Sequence, residues 1–303
     1  MPPLSKQVDK MFAHPRAGAT LVSEGSGGRT LDSLFPAPVP LSVVPSLEGT
    51  VVSFFSPDYQ EASRLQMERY SRACKPGEDT FLKYQETVDV APQHAIPFVV
   101  RRRNTSSAES IIGTARLELP AATSIEAIVR FRPDSPAASA LSRQTFAEVG
   151  VFATRPGLSW GEVLDVIDTV VGGVVQMSQI YGIERVWLFP RRTLMSLLLA
   201  DIPGLLPPYR FTLCPDVVGW NEDSERLKKM RSVGMKEVPL APDTLPTLYQ
   251  ITPAVWAEDL TRRLAVLEQR QHSADLPRLL PAAMRQSLKE IDERMAQLHA
   301  WSA

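Results

Sequence analysis

Two charged residues stand where a strand pattern calls for apolar ones. Arg116 lies inside Ile111-Ile-Gly-Thr-Ala-Arg-Leu-Glu-Leu119, and Glu148 lies inside Thr145-Phe-Ala-Glu-Val-Gly-Val-Phe-Ala-Thr154. A charge buried in a sheet is costly unless it is paired or used. The pair is therefore either an inert cross-strand ion pair or a feature of a cleft. A cleft carboxylate can do acid–base work. An α-amino group has a pKa of about 8 and is largely protonated at neutral pH, so it must lose a proton before it can attack an acyl group. Glu148 is the candidate that takes this proton, directly or through water. Arg116 could pair with Glu148 or Glu86, or grip an acceptor carboxylate with its two-pronged guanidinium. Glu86 and Asp89, just ahead of Ile96-Pro-Phe-Val-Val100, could receive an ammonium group or be a solvated loop start.

A second feature follows the Glu148 strand. Arg155-Pro-Gly157-Leu-Ser-Trp160-Gly161 leads into a helix. Free N–H groups at a helix start attract anions, and glycines allow close approach. The same residues are equally a plain capping turn. Arg101, Arg102, Arg103, Arg191 and Arg192 form local basic clusters that could dock an acidic carrier protein or phosphates, or simply be solvated.

The elements that must position these groups can be read from pattern. An apolar strand is expected near 50–55, and Ser56-Pro57-Asp58 then starts a helix carrying Ala62, Leu65, Met67, Tyr70 and Ala73. Segments 95–103 and 110–119 read as a hairpin, 124–133 as a third strand and 145–154 as a central one. Ser159 with Glu162 forms a capping box for a long helix with a stripe of Val163, Ile167, Val170, Val171, Val174 and Met177, closed by Gly182. A strand at 183–189, a helix at 191–201 and a strand at 209–215 follow, then two helices between 252 and 301. This order implies an α/β (α+β sandwich) fold with a mainly antiparallel sheet.

Composition narrows the class. With 303 residues, 44% of them hydrophobic and 22% charged, the chain reads as globular. A net charge of −1 gives no electrostatic case for nucleic acid. No membrane span is expected, and the N-terminus lacks the apolar core of a secretion signal, which suggests a cytoplasmic protein. Two cysteines and four scattered histidines offer no metal-ligand spacing. Residues 1–48 are rich in Pro, Gly and Ser and read as an irregular or flexible arm that could drape over the body through Leu31, Leu34 and Phe35.

In combination, these fragments resemble the acyl-homoserine-lactone (autoinducer) synthases and the related N-acyl amino acid synthases, which have the GNAT acyltransferase fold. The acidic pair Glu86 and Asp89, the run Gly113-Thr-Ala-Arg116-Leu117 and the strand carrying Glu148 occur in the family's order over roughly residues 55–235. Where that family's Glu-x-Ser-Arg motif has Ser-Arg, this chain has Gly150-Val151 after Glu148, and the first helix and following loop lack a clear match to the aromatic and basic residues of an S-adenosylmethionine pocket. N-acylation of an amino acid, or a changed activity, fits better than homoserine-lactone synthesis. The resemblance implies a GNAT-like acyltransferase domain at 49–252 after the 1–48 arm, with a C-terminal helical hairpin at 253–303 that could support a homo-oligomer. It implies Glu148 as catalytic base, Glu86, Asp89 and Arg116 as substrate-binding, and Phe152, Thr154, Arg155, Gly157 and Trp160 along the acyl donor. The donor would be acyl-CoA or acyl-carrier protein, the acceptor a small-molecule amine, and no further cofactor is implied. The rival is a non-catalytic GNAT-like protein that binds an acyl ligand or a protein partner.

Overall fold

The computed structural model describes residues 39–41, 43–53, 56–71, 95–103, 111–120, 125–189, 192–232 and 246–302. Its first strands, β1 (Val39–Leu41) and β2 (Leu47–Val51), pair antiparallel. Val44 between them is fully buried, so sheet and core already begin within the expected N-terminal arm. Helix α1 (Pro57–Ser71) starts where Ser56-Pro57-Asp58 signals a start, and it buries Ala62, Leu65 and Met67. The expected hairpin forms as β3 (Ala95–Arg102) and β4 (Ile111–Glu118), antiparallel in register from Ala95 opposite Glu118.

The segment expected as a third strand does something else. Ile125–Ile128 is a helical turn, α2, and only Val129–Phe131 is a strand, β5. Ile125 and Ile128 are three apart and both fully buried, which suits a helical turn, whereas Val129 and Phe131 alternate across Arg130. α3 (Pro136–Arg143), capped by Ser135, leads into β6 (Phe146–Thr154).

α4 (Trp160–Ile180) follows, with the full capping box between Ser159 and Glu162. Burial goes further round α4 than the expected stripe, and residues 164–171 are all buried. By length and hydropathy α4 could cross a membrane, but 72% of its apolar window is buried within the protein. It is the core helix. Gly113 on β4 shows how close it comes: a Cβ there would collide with Val166.

β7 (Arg185–Leu188), α5 (Arg192–Leu198), β8 (Thr212–Leu213), β9 (Val217–Trp220), α6 (Glu225–Ser232) and β10 (Tyr249–Ile251) complete the body. The strand expected at 209–215 is only two residues long. The Arg210 N–H donates to the Asp259 carboxylate at 2.7 Å, and Tyr209 is turned into the core. The C-terminal segment holds three helices, α7 (Pro253–Ala265), α8 (Leu267–His272) and α9 (Leu276–Ser302).

The main sheet runs β1-β2-β3-β4-β6-β7-β10-β8 and is antiparallel except for β6 against β7; β5 and β9 form a separate two-stranded sheet. One sheet face carries the largest apolar cluster, shared with α4, α7 and α9. The other face is covered by α1 at one end and by the β5–β9 layer at the other. β6 is central, between β4 and β7, as its apolar sequence implies.

Candidate functional site

The parallel pair is short. Phe146, Ala147 and Glu148 align with Arg185, Val186 and Trp187, and there the ladder ends, although β6 runs on to Thr154. Burial changes at the same point. Residues 146–148 are buried, while Val149, Gly150, Val151 and Phe152 are half-buried. Beyond Glu148, β7 ends at Leu188 and no described strand pairs with β6 on that side, so the β6 edge forms an open slot among the described residues.

Glu148 stands at the base of this slot, 8% exposed. Cross-strand partners share a sheet face. Glu148 is opposite Glu118, and Gly150 is opposite Arg116, so Arg116, Glu118 and Glu148 point to one side. Arg116 Nη2 lies 3.1 Å from Glu118 Oε1, with both side chains almost wholly buried. Gly150 keeps this corner open, since a Cβ there would come within 3.1 Å of the Glu118 carboxylate. Thr114, one step along the same face, accepts a hydrogen bond from Gln66 of α1 at 3.1 Å and donates to the Phe98 carbonyl at 2.9 Å.

Glu118 was absent from the sequence expectations, in which Arg116 pairs with Glu148 or Glu86. The signal was available: residues two apart on a strand share a face. Glu86 and Asp89 lie outside the described residues.

Val151 has φ 54°, the left-handed region, in the middle of β6. That is a strained conformation for a β-branched residue and costs about 1–3 kcal/mol. It coincides with a break in the β4–β6 register between Thr114 and Arg116. The extra residue re-aims the strand, so Glu148 and Gly150 meet Glu118 and Arg116 while Ala153 meets Thr114.

The turn after β6 gathers the expected donor-side residues. Gly157 has φ 82°, with nothing within 4 Å of where a Cβ would stand. Trp160, the first residue of α4, is 38% exposed, and Phe152 is half-buried. Thr154 is buried. Arg155 is already engaged: its Nε donates to the Ile111 carbonyl at 2.8 Å, and its Nη2 lies 3.5 Å from Glu61 of α1. The cap of α4 is engaged as well. Ser159 N donates to Glu162 Oε2 at 2.9 Å, and Glu162 also receives Arg102 at 2.6 Å. Burial pushes the Glu162 carboxyl up, but the Ser159 and Arg102 hydrogen bonds outweigh it and hold it below its usual value.

The expected basic cluster is divided between the two faces. Arg101 pairs with Asp58 of α1, Arg102 with Glu162 of α4, and Arg103 donates to the Leu47 carbonyl at 3.1 Å. Arg192 ties α5 to Asp292 of α9, and Arg191 lies outside the described residues.

α4 is held from the other side by a buried network that the sequence does not announce. Asp168 lies 2.7 Å from both Arg263 of α7 and Arg270 of α8, and it accepts the Tyr209 hydroxyl at 2.8 Å. Asp165 accepts from Arg270 at 2.7 Å and from Gln271 at 2.8 Å.

No family model matches the chain, and no curated protein matches it either. Among solved structures it is similar to FeeM, an N-acyl amino acid synthase from uncultured soil microbes, at 15% identity and a TM-score of 0.37, over 73% of this chain and 98% of that one. It is also similar to apo FdhC, a nucleotide-linked sugar GNAT, at 10% identity and a TM-score of 0.31, over 73% and 95% of the two chains. A mainly antiparallel sheet, one short parallel pair beside the start of a capped core helix, and helices on both faces make this a mixed α/β fold.

Proposed function

We propose that the protein is an N-acyltransferase, moving a fatty acyl group from acyl-carrier protein or acyl-CoA to the amine of an amino acid. The observation that carries this reading is the position of Glu148. It is nearly buried, at the last paired residue of the β6–β7 ladder, and on the same face as Arg116 and Glu118.

Two carboxylates directly opposite each other repel. Arg116 lies against Glu118, and an acceptor ammonium would approach Glu148 from the slot. The Glu148 carboxylate then takes a proton from that ammonium, directly or through water. The freed nitrogen attacks the thioester carbonyl carbon. The carbon–sulfur bond breaks as the tetrahedral intermediate collapses, the nitrogen gives up its second proton, and the leaving thiolate ends as a thiol. The half-buried edge of β6 beyond Glu148 offers backbone N–H and C=O groups to the amides of an extended pantetheine arm, which would pair there as an added strand. Phe152 and Trp160 supply apolar surface for the acyl chain, and the turn at Gly157 leaves room for a close approach.

The test is mass spectrometry of lipid extracts from cells making the wild-type protein or Glu148→Gln. N-acyl amino acids that appear with wild type and vanish with the variant support the reading. A wild-type protein that makes no such product and binds neither donor overturns it, in favour of non-catalytic binding of a protein partner or another ligand.

A further inference from the structure

On the sheet face away from Glu148, at the far edge, lies a cavity of about 330 Å³ between β8, β10 and α9. Tyr249 is paired with Leu188 and Leu213, whereas its neighbour Gln250 is paired with Trp187 on the Glu148 face, so this cavity is separate from the slot. Its floor is apolar and aromatic, with Phe211 and Tyr249 both nearly buried. Its rim carries one acidic and one basic side chain that the fold leaves unused. Asp201 and Arg294 both line the cavity and are exposed, and neither makes an ion pair or hydrogen bond with any described residue. The other charged rim residues are occupied: Arg210 binds Glu258 and Asp259, and Glu290 accepts from Gln286 at 3.0 Å. Burial pushes the Tyr249 hydroxyl up to about 12, so it remains a neutral hydrogen-bond donor beside Arg294.

We propose that this cavity binds a free α-amino acid with an apolar side chain. Ligand pockets run from roughly 300 to 1,000 Å³, and this one lies at the small end, with room for an amino acid and too small for an acyl-CoA. Arg294 takes the carboxylate, with the geometry that a guanidinium offers such a group. Asp201 takes the ammonium, and the side chain lies against Phe211 and Tyr249. The spacing on α9 fits: Ala283, Ser287, Glu290, Ile291 and Arg294 recur every three or four residues and line one wall. The inference does not depend on the acyl-transfer reading.

The experiment is a calorimetric titration of the full chain with leucine, alongside isopentylamine, which lacks the carboxylate, and 4-methylpentanoate, which lacks the ammonium. Saturable leucine binding is expected, and each truncated analogue should bind about tenfold or more weakly, the scale of one lost charge-assisted hydrogen bond. Arg294→Gln and Asp201→Asn should each weaken leucine binding to a similar degree without shifting the melting temperature, because neither side chain is engaged in the fold. Equal binding of all three compounds, no leucine binding at all, or binding unchanged in both variants would overturn the proposal. Glu148→Gln separates the two sites: leucine binding lost there but kept in Arg294→Gln would assign leucine to the slot and remove the cavity proposal.

Discussion

Glu118 and Glu148 face each other as direct partners across β4 and β6, both more than nine-tenths buried, with Arg116 3.1 Å from Glu118. The fold has placed two carboxyl groups opposite each other in its interior, with a guanidinium beside them. Arg116→Met should therefore destabilise the protein by about 3 kcal/mol, since Glu118 would lose the buried guanidinium that lies against it. The double variant Arg116→Met/Glu118→Gln should recover part of that loss. Urea unfolding checks both, and a double variant no better than the single one would show that charge is not what Arg116 supplies.

The network around Asp168 makes α7 and α8 part of the core. Ending the chain at residue 252 would leave Asp165 and Asp168 buried without their arginines, and such a chain should show no cooperative thermal transition. Calorimetry decides the point, and a sharp transition in the shortened chain would contradict it.

Acid should loosen the same network. Burial pushes the Asp168 carboxyl up, but the charges of Arg263 and Arg270 outweigh it and hold it below the usual 3.8. A group whose pKa is lower in the folded state contributes its stability in full above the unfolded value and loses it as pH falls through the folded one. Wild type should thus lose stability below about pH 4, and Asp168→Asn, less stable at neutral pH, should lose less over that acid range. Melting temperatures from pH 7 to pH 2.5 test this; parallel curves for the two proteins would refute it.

Val151 offers a prediction of opposite sign. Glycine adopts its φ of 54° freely, so Val151→Gly should stabilise the protein by about 1 kcal/mol in spite of the lost side chain, because the strain removed is of that order or larger. A lower denaturation midpoint would mean that Val151 packing outweighs the strain.

The start of α4 can be tested by one atom. Ser159→Ala removes the hydroxyl that accepts the Glu162 N–H and should cost about 1 kcal/mol of stability. Ser159→Asp, which keeps an acceptor at the cap, should restore most of it.

Local pattern carried much of this fold. The β3–β4 hairpin, the central β6 and the capping box of α4 were legible because each depends on residues within a few positions of one another: alternation, a polar turn, or a serine three residues before a glutamate. Arg116 and Glu148 could be singled out for the same reason, since a charge in an apolar run stands out without knowledge of its partner. The α2–β5 segment misled because Ile125 and Ile128 fit a helical turn while Val129 and Phe131 alternate, and only the pairing of β5 with β9 decides where one gives way to the other.

Tertiary structure alone decided the rest. Asp168 meets Arg263 across 95 residues, and Asp165 meets Arg270 across 105. On α4, α7 and α8 these charges look like ordinary polar residues. The end of the β6–β7 ladder at Glu148 likewise depends on how far two strands distant in sequence remain aligned, and the cavity beside Tyr249 exists only because α9 closes against the sheet edge. A sequence states which residues carry charge and which surfaces are apolar. Which charges share a buried space depends on long-range packing, where the energy of each contact is realised only once every other element is in place.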